Sequence, residues 1–166
     1  MSSPNHWETH PRNKNGEFSF RGKNADRITF IQKILKKILE NADKSKIDQN
    51  AKGGSYGELR KETIGKKNKE IHHMPSNEAS PLSRWKGPCI ILTREEHYKT
   101  CSHSRVKGSK KYRQKQKELI KNGRFLDAEI MDIIDILERT KDKYLSAIAQ
   151  KIEYDIKLYE KGEINE

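Results

Sequence analysis

The stretch from Glu70 to His103, EIHHMPSNEASPLSRWKGPCIILTREEHYKTCSH, constrains the fold more than any other part of the chain. Cys89-Ile90-Ile91-Leu92 is a short apolar run rich in β-branched residues and preceded by Pro88, which reads as a buried strand. Thr93-Arg94-Glu95-Glu96 follows at once and has the T-x-x-E pattern of a capping box, so a helix starts there. Glu70 to Met74 reads as an earlier short strand. Pro75 to Pro88 is rich in Pro, Ser, Asn and Gly, the composition of a loop. The order is strand, loop, strand, helix. Four of the six histidines lie in this segment: His72 and His73 side by side at the end of the first strand, His97 in the first turns of the helix, and His103 beyond it.

The flanks have helical periodicity. Asp26 to Asn41 places Ile28, Ile31, Ile34, Leu35, Ile38 and Leu39 on one face, with lysines opposite. Ser109 is a candidate N-cap for a helix running to Asn122, with Gly123 as its stop. Phe125 to Arg139 is amphipathic on Ala128, Met131, Ile134 and Leu137, and Asp142 to Glu160 on Leu145, Ile148, Ile152, Ile156 and Tyr159. Asp127, Asp132 and Asp135 give the first of these two an acidic side, expected to be solvated or salt-bridged. GGSYGELRK, from Gly53, is glycine-rich but lacks the spacing and the Lys-Ser/Thr ending of a P-loop. It reads as a turn into a short helix, with Tyr56 and Leu59 packing under the core. There is no internal repeat. The expected fold is α+β: a small β-hairpin embedded in five or six helices.

Residues 1–24 are polar with few apolar anchors and read as an arm or linker, leaving 25–166 as a single domain. The chain carries a net charge of +11 with 36% charged and 32% hydrophobic residues. Its core is therefore thin, and the charge favours an anionic partner such as nucleic acid, an acidic protein or an anionic membrane surface. No apolar run reaches membrane-spanning length. The N-terminus lacks the apolar segment of a Sec-type signal, so export is expected by another route or as the tail of a larger chain. Two cysteines, Cys89 and Cys101, do not make a disulfide framework. Cys89 reads as a core residue; Cys101 reads as a packing residue, with metal ligation the alternative.

The histidine segment resembles the ββα-metal, or HNH/His-Me finger, nuclease motif, and in particular the ENDO VII-like nuclease toxin domains of bacterial polymorphic and contact-delivered toxins. The resemblance covers about residues 70–104. In that family the second residue of the pair is the general base, the first binds a metal, and a helical His or Asn completes the site. The resemblance thus implies His73 as base and His72 with His97 as ligands of one divalent ion (Zn, Mg, Mn or Ni). His103 lies off the i,i+4 spacing from His97 and can join them only if the helix ends first. Further implications are DNA or RNA as substrate, secretion or contact delivery into the cytoplasm of a target bacterium, and an acidic immunity protein. Apart from that complex, a monomer is expected.

The residues suit phosphodiester hydrolysis. A water must lose a proton, and a neutral imidazole can take it near neutral pH. Adjacent strand residues point to opposite faces, so His72 and His73 divide naturally into one ligand and one base. Ser76 or Asn77 is a candidate to orient the base. Arg84, Lys86, Arg105 and Lys107 are candidates for holding the nucleic-acid backbone. Two alternatives stand beside the metal-dependent nuclease: a metal-independent ribonuclease pairing His73 with Arg84, Lys86 or Arg105, and a non-catalytic basic module that binds nucleic acid or protein.

Overall fold

The computed structural model describes residues 24–164. The arm expected at the N-terminus lies outside them, except that Asn24 opens the first helix. In chain order the elements are α1 (Asn24–Asn41), β1 (Gly53–Ser55), α2 (Tyr56–Thr63), β2 (Lys69–His73), β3 (Pro88–Thr93), α3 (Arg94–His97), α4 (Ser109–Lys121), α5 (Phe125–Thr140) and α6 (Leu145–Glu160), with short 3-10 turns at Lys44–Lys46 and Arg84–Lys86. The fold is α+β, with a three-stranded antiparallel sheet in the order β1-β3-β2.

β3 is apolar from Pro88 to Leu92 because it is central and covered on both faces. Ile90 and Leu92 face one way, into the main core with Met74, Leu126, Ile136, Tyr144, Ala147, Ile148 and Ile152. Cys89 and Ile91 face the other way, onto Tyr56 and Leu59 of α2. Full burial of each such aliphatic side chain contributes roughly 1.5–3 kcal/mol. The register sets His72 opposite Ile90, Ile71 opposite Ile91 and His73 opposite Cys89. Because the side-chain period is two, Glu70 and His72 share the main-core face, and Ile71 and His73 share the α2 face.

The third strand, β1, is a difference from the expected hairpin. Its glycines give no strand signal, yet it pairs through Gly53 opposite Ile90 and Gly54 opposite Cys89. The reason is the close approach of α6: a Cβ on Gly53 would lie 2.0 Å from the carbonyl oxygen of Ala147. Gly53→Ala would therefore push α6 off the sheet. Ser55 then caps α2, its hydroxyl accepting from the Glu58 N–H.

α3 begins on the capping box expected from the sequence. The Thr93 side chain accepts from the Glu96 N–H, and the Glu96 carboxylate accepts from the Thr93 N–H. Glu96 is also held by Lys143 at 2.6 Å and by the Tyr144 hydroxyl, which anchors this single turn to the start of α6. α4 is capped by Gly108, one residue before the expected Ser109, and Gly123 follows its end.

The acidic side of α5 is salt-bridged at Asp127 and Asp135 as expected, but it is corrected in one respect: much of it is buried. Asp132 and Asp135 lie on the buried face with Glu129, while Met131, Ile134 and Leu137 are only half-buried. Asp132 accepts from Gln116 Nε2 at 2.7 Å and from the Tyr112 hydroxyl at 3.0 Å. Asp135 pairs with Arg139 at 2.6 Å, and Asp127 with Arg124 at 2.6 Å. Glu129 meets a wholly buried Lys151, which also binds Asp155 at 2.7 Å. Partners on α4 for Asp132, on α6 for Glu129 and at Arg139 and Cys101 for Asp135 make these burials tolerable, and a helical wheel of α5 alone does not display most of them. On α1 only Ile31 is buried among the described apolar residues; the others are half-buried. No helix among the described residues is long and apolar enough to cross a membrane.

Candidate functional site

The four histidines of the central segment fall into two groups, on opposite faces of β2. On the main-core face, Glu70 sits at the start of the strand and His72 two residues on. α3 stops at His97, and the turns after Tyr98 bring His103 back against it. The early stop meets the condition on which His103 could join His97. Their rings lie 4.8 Å apart, and the His97 ring is 5.2 Å from that of His72. His97 Nδ1 is 2.7 Å from Glu70 Oε2, while Glu70 Oε1 accepts from Arg94 at 2.9 Å and from the Tyr98 hydroxyl at 3.3 Å. One donor atom from each of Glu70, His97 and His103 lies within 4.8 Å of the other two, a spacing that can hold a metal ion.

His72 is 2% exposed, and its Nε2 is buried without a hydrogen-bond partner. An orphaned imidazole nitrogen is costly in an apolar surround; His72 borders the cluster through the His97 ring but is not one of the three residues whose donor atoms lie within 4.8 Å of one another. Burial drives its pKa well below the ordinary histidine value, and the neighbouring His97, His73 and His103 add to the effect. His103 is lowered by partial burial and by His97, against the opposing pull of Glu70. Partial burial pushes the Glu70 carboxyl up, but the His97 and Arg94 contacts overcome it and hold the group below its usual range. A neutral imidazole and an ionised carboxylate are the ligand forms of these residues.

On the α2 face, His73 stacks on Tyr56 with ring centroids 4.9 Å apart and an interplanar angle of 20°. Its Nε2 lies 3.2 Å from the carbonyl oxygen of Arg84. A carbonyl only accepts, so Nε2 carries the proton and Nδ1 keeps the lone pair when the ring is neutral. Gly87 walls the ring closely: a Cβ there would sit 2.7 Å from His73 Cδ2. Burial lowers the His73 pKa, and the Arg84 charge adds to this against the opposing carbonyl contact. The group that meets the His73 ring nitrogen is thus the Arg84 carbonyl, rather than Ser76 or Asn77. Ser76 is buried with its N–H donated to Gln116, and Asn77 is exposed.

Of the four basic candidates, Arg84 lies at the His73 group and Arg105 at the His103 group. The Arg84 guanidinium lies over the Tyr56 ring at 4.7 Å and donates to its hydroxyl at 2.9 Å. Lys86, two residues on, is paired with Glu163 at 2.7 Å. Arg105 lies over the Tyr98 ring at 4.1 Å, beside His103, and Lys107 is exposed in the turn before α4. Cys101 is engaged elsewhere: its N–H and thiol both reach the Asp135 carboxylate, at 2.7 and 3.2 Å.

Sequence reasoning missed Glu70 as a member of the cluster. The signal was present, since Glu70 and His72 are spaced i,i+2 and must share a strand face. Tyr56 as a ring partner of His73 had no such signal, because the contact joins separate elements. Compared with protein-family models, curated proteins and solved structures, the chain has no match.

Proposed function

We propose that the chain is a metal-dependent endonuclease toxin of the His-Me finger type, which hydrolyses phosphodiester bonds of DNA, with RNA as the alternative substrate. The observation that carries this reading is the gathering of Glu70, His97 and His103 beside the buried, unpartnered Nε2 of His72, on the strand whose next residue is His73. The strand–loop–strand–helix order of β2, β3 and α3 is the order that the resemblance requires, although α3 is a single turn. A divalent ion would be held by Glu70, His97 and His103, with His72 as a further imidazole, and when bound it would neutralise charge on the phosphate and the leaving oxygen. Three imidazoles and one carboxylate suit Zn, Ni or Mn better than Mg, which prefers oxygen ligands.

His73 takes the part of general base. Its lowered pKa keeps it neutral at pH 7, and the Arg84 carbonyl on Nε2 leaves Nδ1 to accept the proton of the attacking water. Base and ligands lie on opposite faces of β2, so a phosphate served by both sits at the end of the strand, where His72 and His73 adjoin. The charge of +11 holds the nucleic acid without reading its sequence. A generic nuclease would kill the cell that makes it, so the reading includes an acidic immunity protein drawn to the same basic surface.

The Arg84 guanidinium, which lies over the Tyr56 ring that stacks on His73, favours one second reading, a metal-independent ribonuclease built on His73 and Arg84. Plasmid nicking in the presence and absence of EDTA, with His73→Ala as control, separates the possibilities. Nicking that needs metal and His73 is expected. RNA cleavage that survives EDTA would transfer the activity to the His73–Arg84 pair, and binding without turnover would leave a non-catalytic basic module.

A further inference from the structure

Among the described residues, two large hydrophobic side chains are exposed, Trp85 at 60% and Ile64 at 69%. Ile64 follows the far end of α2 and has no part in the site. Trp85 stands on the turn Arg84–Lys86 between β2 and β3, one ring removed from His73. Its indole meets Tyr56 edge to face, with centroids 5.6 Å apart at 72°, and Tyr56 in turn stacks on His73. Gly57, the second residue of α2, lies beside the indole: a Cβ there would be in ordinary contact, 3.6 Å from Trp85 Cε3 and 3.4 Å from its carbonyl oxygen.

We infer that Trp85 is a stacking platform for an unpaired nucleobase next to the phosphodiester at His73, so that the site takes single-stranded or locally opened nucleic acid. The inference rests on the nuclease reading for its position and on the indole's surroundings for its chemistry. A lone exposed indole is common on protein surfaces; what marks Trp85 is its place, edge to face on the Tyr56 ring that stacks on His73. The neighbours Ser83, Arg84 and Lys86 are exposed and polar or cationic. A protein contact built on a buried aromatic anchor needs flanking surface that excludes water, and these neighbours do not supply it. Arg60 and Lys61 lie one turn along α2 from Gly57 and are exposed, which places further cations beside the indole. An aromatic face among cations is the arrangement that binds a base and its flanking phosphates. In a duplex the base faces are already stacked on one another, so the platform discriminates against paired strands.

The test uses the full chain with Trp7→Phe, which leaves Trp85 as the one tryptophan. Indole emission is titrated with short phosphorothioate-linked DNA strands, which resist hydrolysis: single-stranded, duplex, and single-stranded with abasic sites. Polyglutamate serves as a polyanion without bases. We expect quenching by the single strand alone; affinities, read for every variant by fluorescence anisotropy of an end-labelled strand, should show binding of that strand about tenfold to a hundredfold weaker in Trp85→Ala. Trp85→Phe should keep most of the affinity, and abasic strands should bind wild type no better than intact strands bind Trp85→Ala. Equal quenching by duplex or polyglutamate, or unchanged affinity in Trp85→Ala, would overturn the platform. Metal-dependent nicking is scored on the same preparations. Stacking without nicking would remove the nuclease reading and leave the platform standing; nicking with Trp85→Ala indifferent to single strands would remove the platform alone.

Discussion

Gly87→Ala tests the placement of His73 without deleting it. Gly87 has φ −58° and ψ 133°, a conformation open to any residue, so alanine brings no backbone strain. The added methyl would lie 2.7 Å from His73 Cδ2 and 3.1 Å from Nε2. Carbon atoms rest at about 3.5–4.0 Å, so the ring must retreat by roughly 1 Å. In doing so it leaves the Arg84 carbonyl and shifts on Tyr56. The hydrogen bond contributes about 1 kcal/mol and the stack about 0.5–1.5 kcal/mol. Alanine returns about 0.4–1 kcal/mol by restricting the unfolded chain. The net destabilisation is therefore roughly 1 kcal/mol, too little to unfold the domain. A catalytic group displaced by 1 Å loses about a hundredfold in rate. Urea denaturation beside a nicking assay should thus show a folded protein with about one-hundredth of wild-type activity, and the His73 ring signals should move in an NMR titration. A folded Gly87→Ala protein with wild-type rate and unchanged His73 signals would refute the assignment of this ring, in this position, as the base.

Three further outcomes follow from the same geometry. His97→Ala, His103→Ala and Glu70→Ala should each weaken zinc binding by calorimetry, with excess metal restoring part of the nicking; unchanged affinity in all three would show that the cluster is not a metal site. Asp132 is pushed up to about 7, first by burial, against the donors Gln116 and Tyr112. The folded carboxyl therefore keeps a proton that the unfolded chain releases, and its contribution is lost as pH rises from about 4 through 7, by up to about 1.4 kcal/mol per pH unit. Urea midpoints of Asp132→Asn should lack that slope, and parallel curves for variant and wild type across pH 5 to 7.5 would contradict it. Finally, association with an acidic immunity partner should slow steeply as salt rises, because steering of a +11 chain is screened over a Debye length; a stopped-flow rate independent of ionic strength would remove the electrostatic argument for that partner.

What the sequence displays is what acts over short range. The strand Pro88–Thr93, the capping box at Thr93 and the apolar period of α6 are local signals, and each appears at its place. β1 was illegible because two glycines pair there only by virtue of α6 lying against them. The burial of the α5 face was illegible for a related reason: Asp132 is met from α4, Glu129 from α6 and Asp135 from Arg139 and the Cys101 turn, so polarity along α5 does not report exposure. At the site, His97 and His103 could be joined only conditionally, since the length of α3 decides it. The two-residue alternation separating His72 from His73 was legible, whereas the ring of Tyr56 and the carbonyl of Arg84 around His73 come from elements that the loop brings back.

The helices after the site explain why a segment of some thirty residues needs so long a scaffold. The cluster hangs on non-repetitive chain at two places, the loop after β2 and the turns from Tyr98 to Gly108, which are closed by local turn hydrogen bonds such as Ala79 N–H to Ser76 and His103 N–H to Thr100 but belong to no helix or sheet. α4 secures both. Gln116 Oε1 accepts the Ser76 N–H at 3.2 Å, just after His73, and Arg113 donates to the Ser102 carbonyl at 2.8 Å, just before His103. Arg113 and Lys117 also bind Glu78, which ties the first loop a second time. Gln116 is itself aimed by Asp132 and the Ala128 carbonyl of α5, and α5 joins α6 through Glu129 and Lys151. A buried polar network of this kind contributes little net stability, since its desolvation cost offsets most of its hydrogen-bond energy. What it supplies is a single position for each partner. The side chains that would hold a metal and a base need that more than they need extra stability, because ligand and base geometry tolerates errors of only about 0.5 Å.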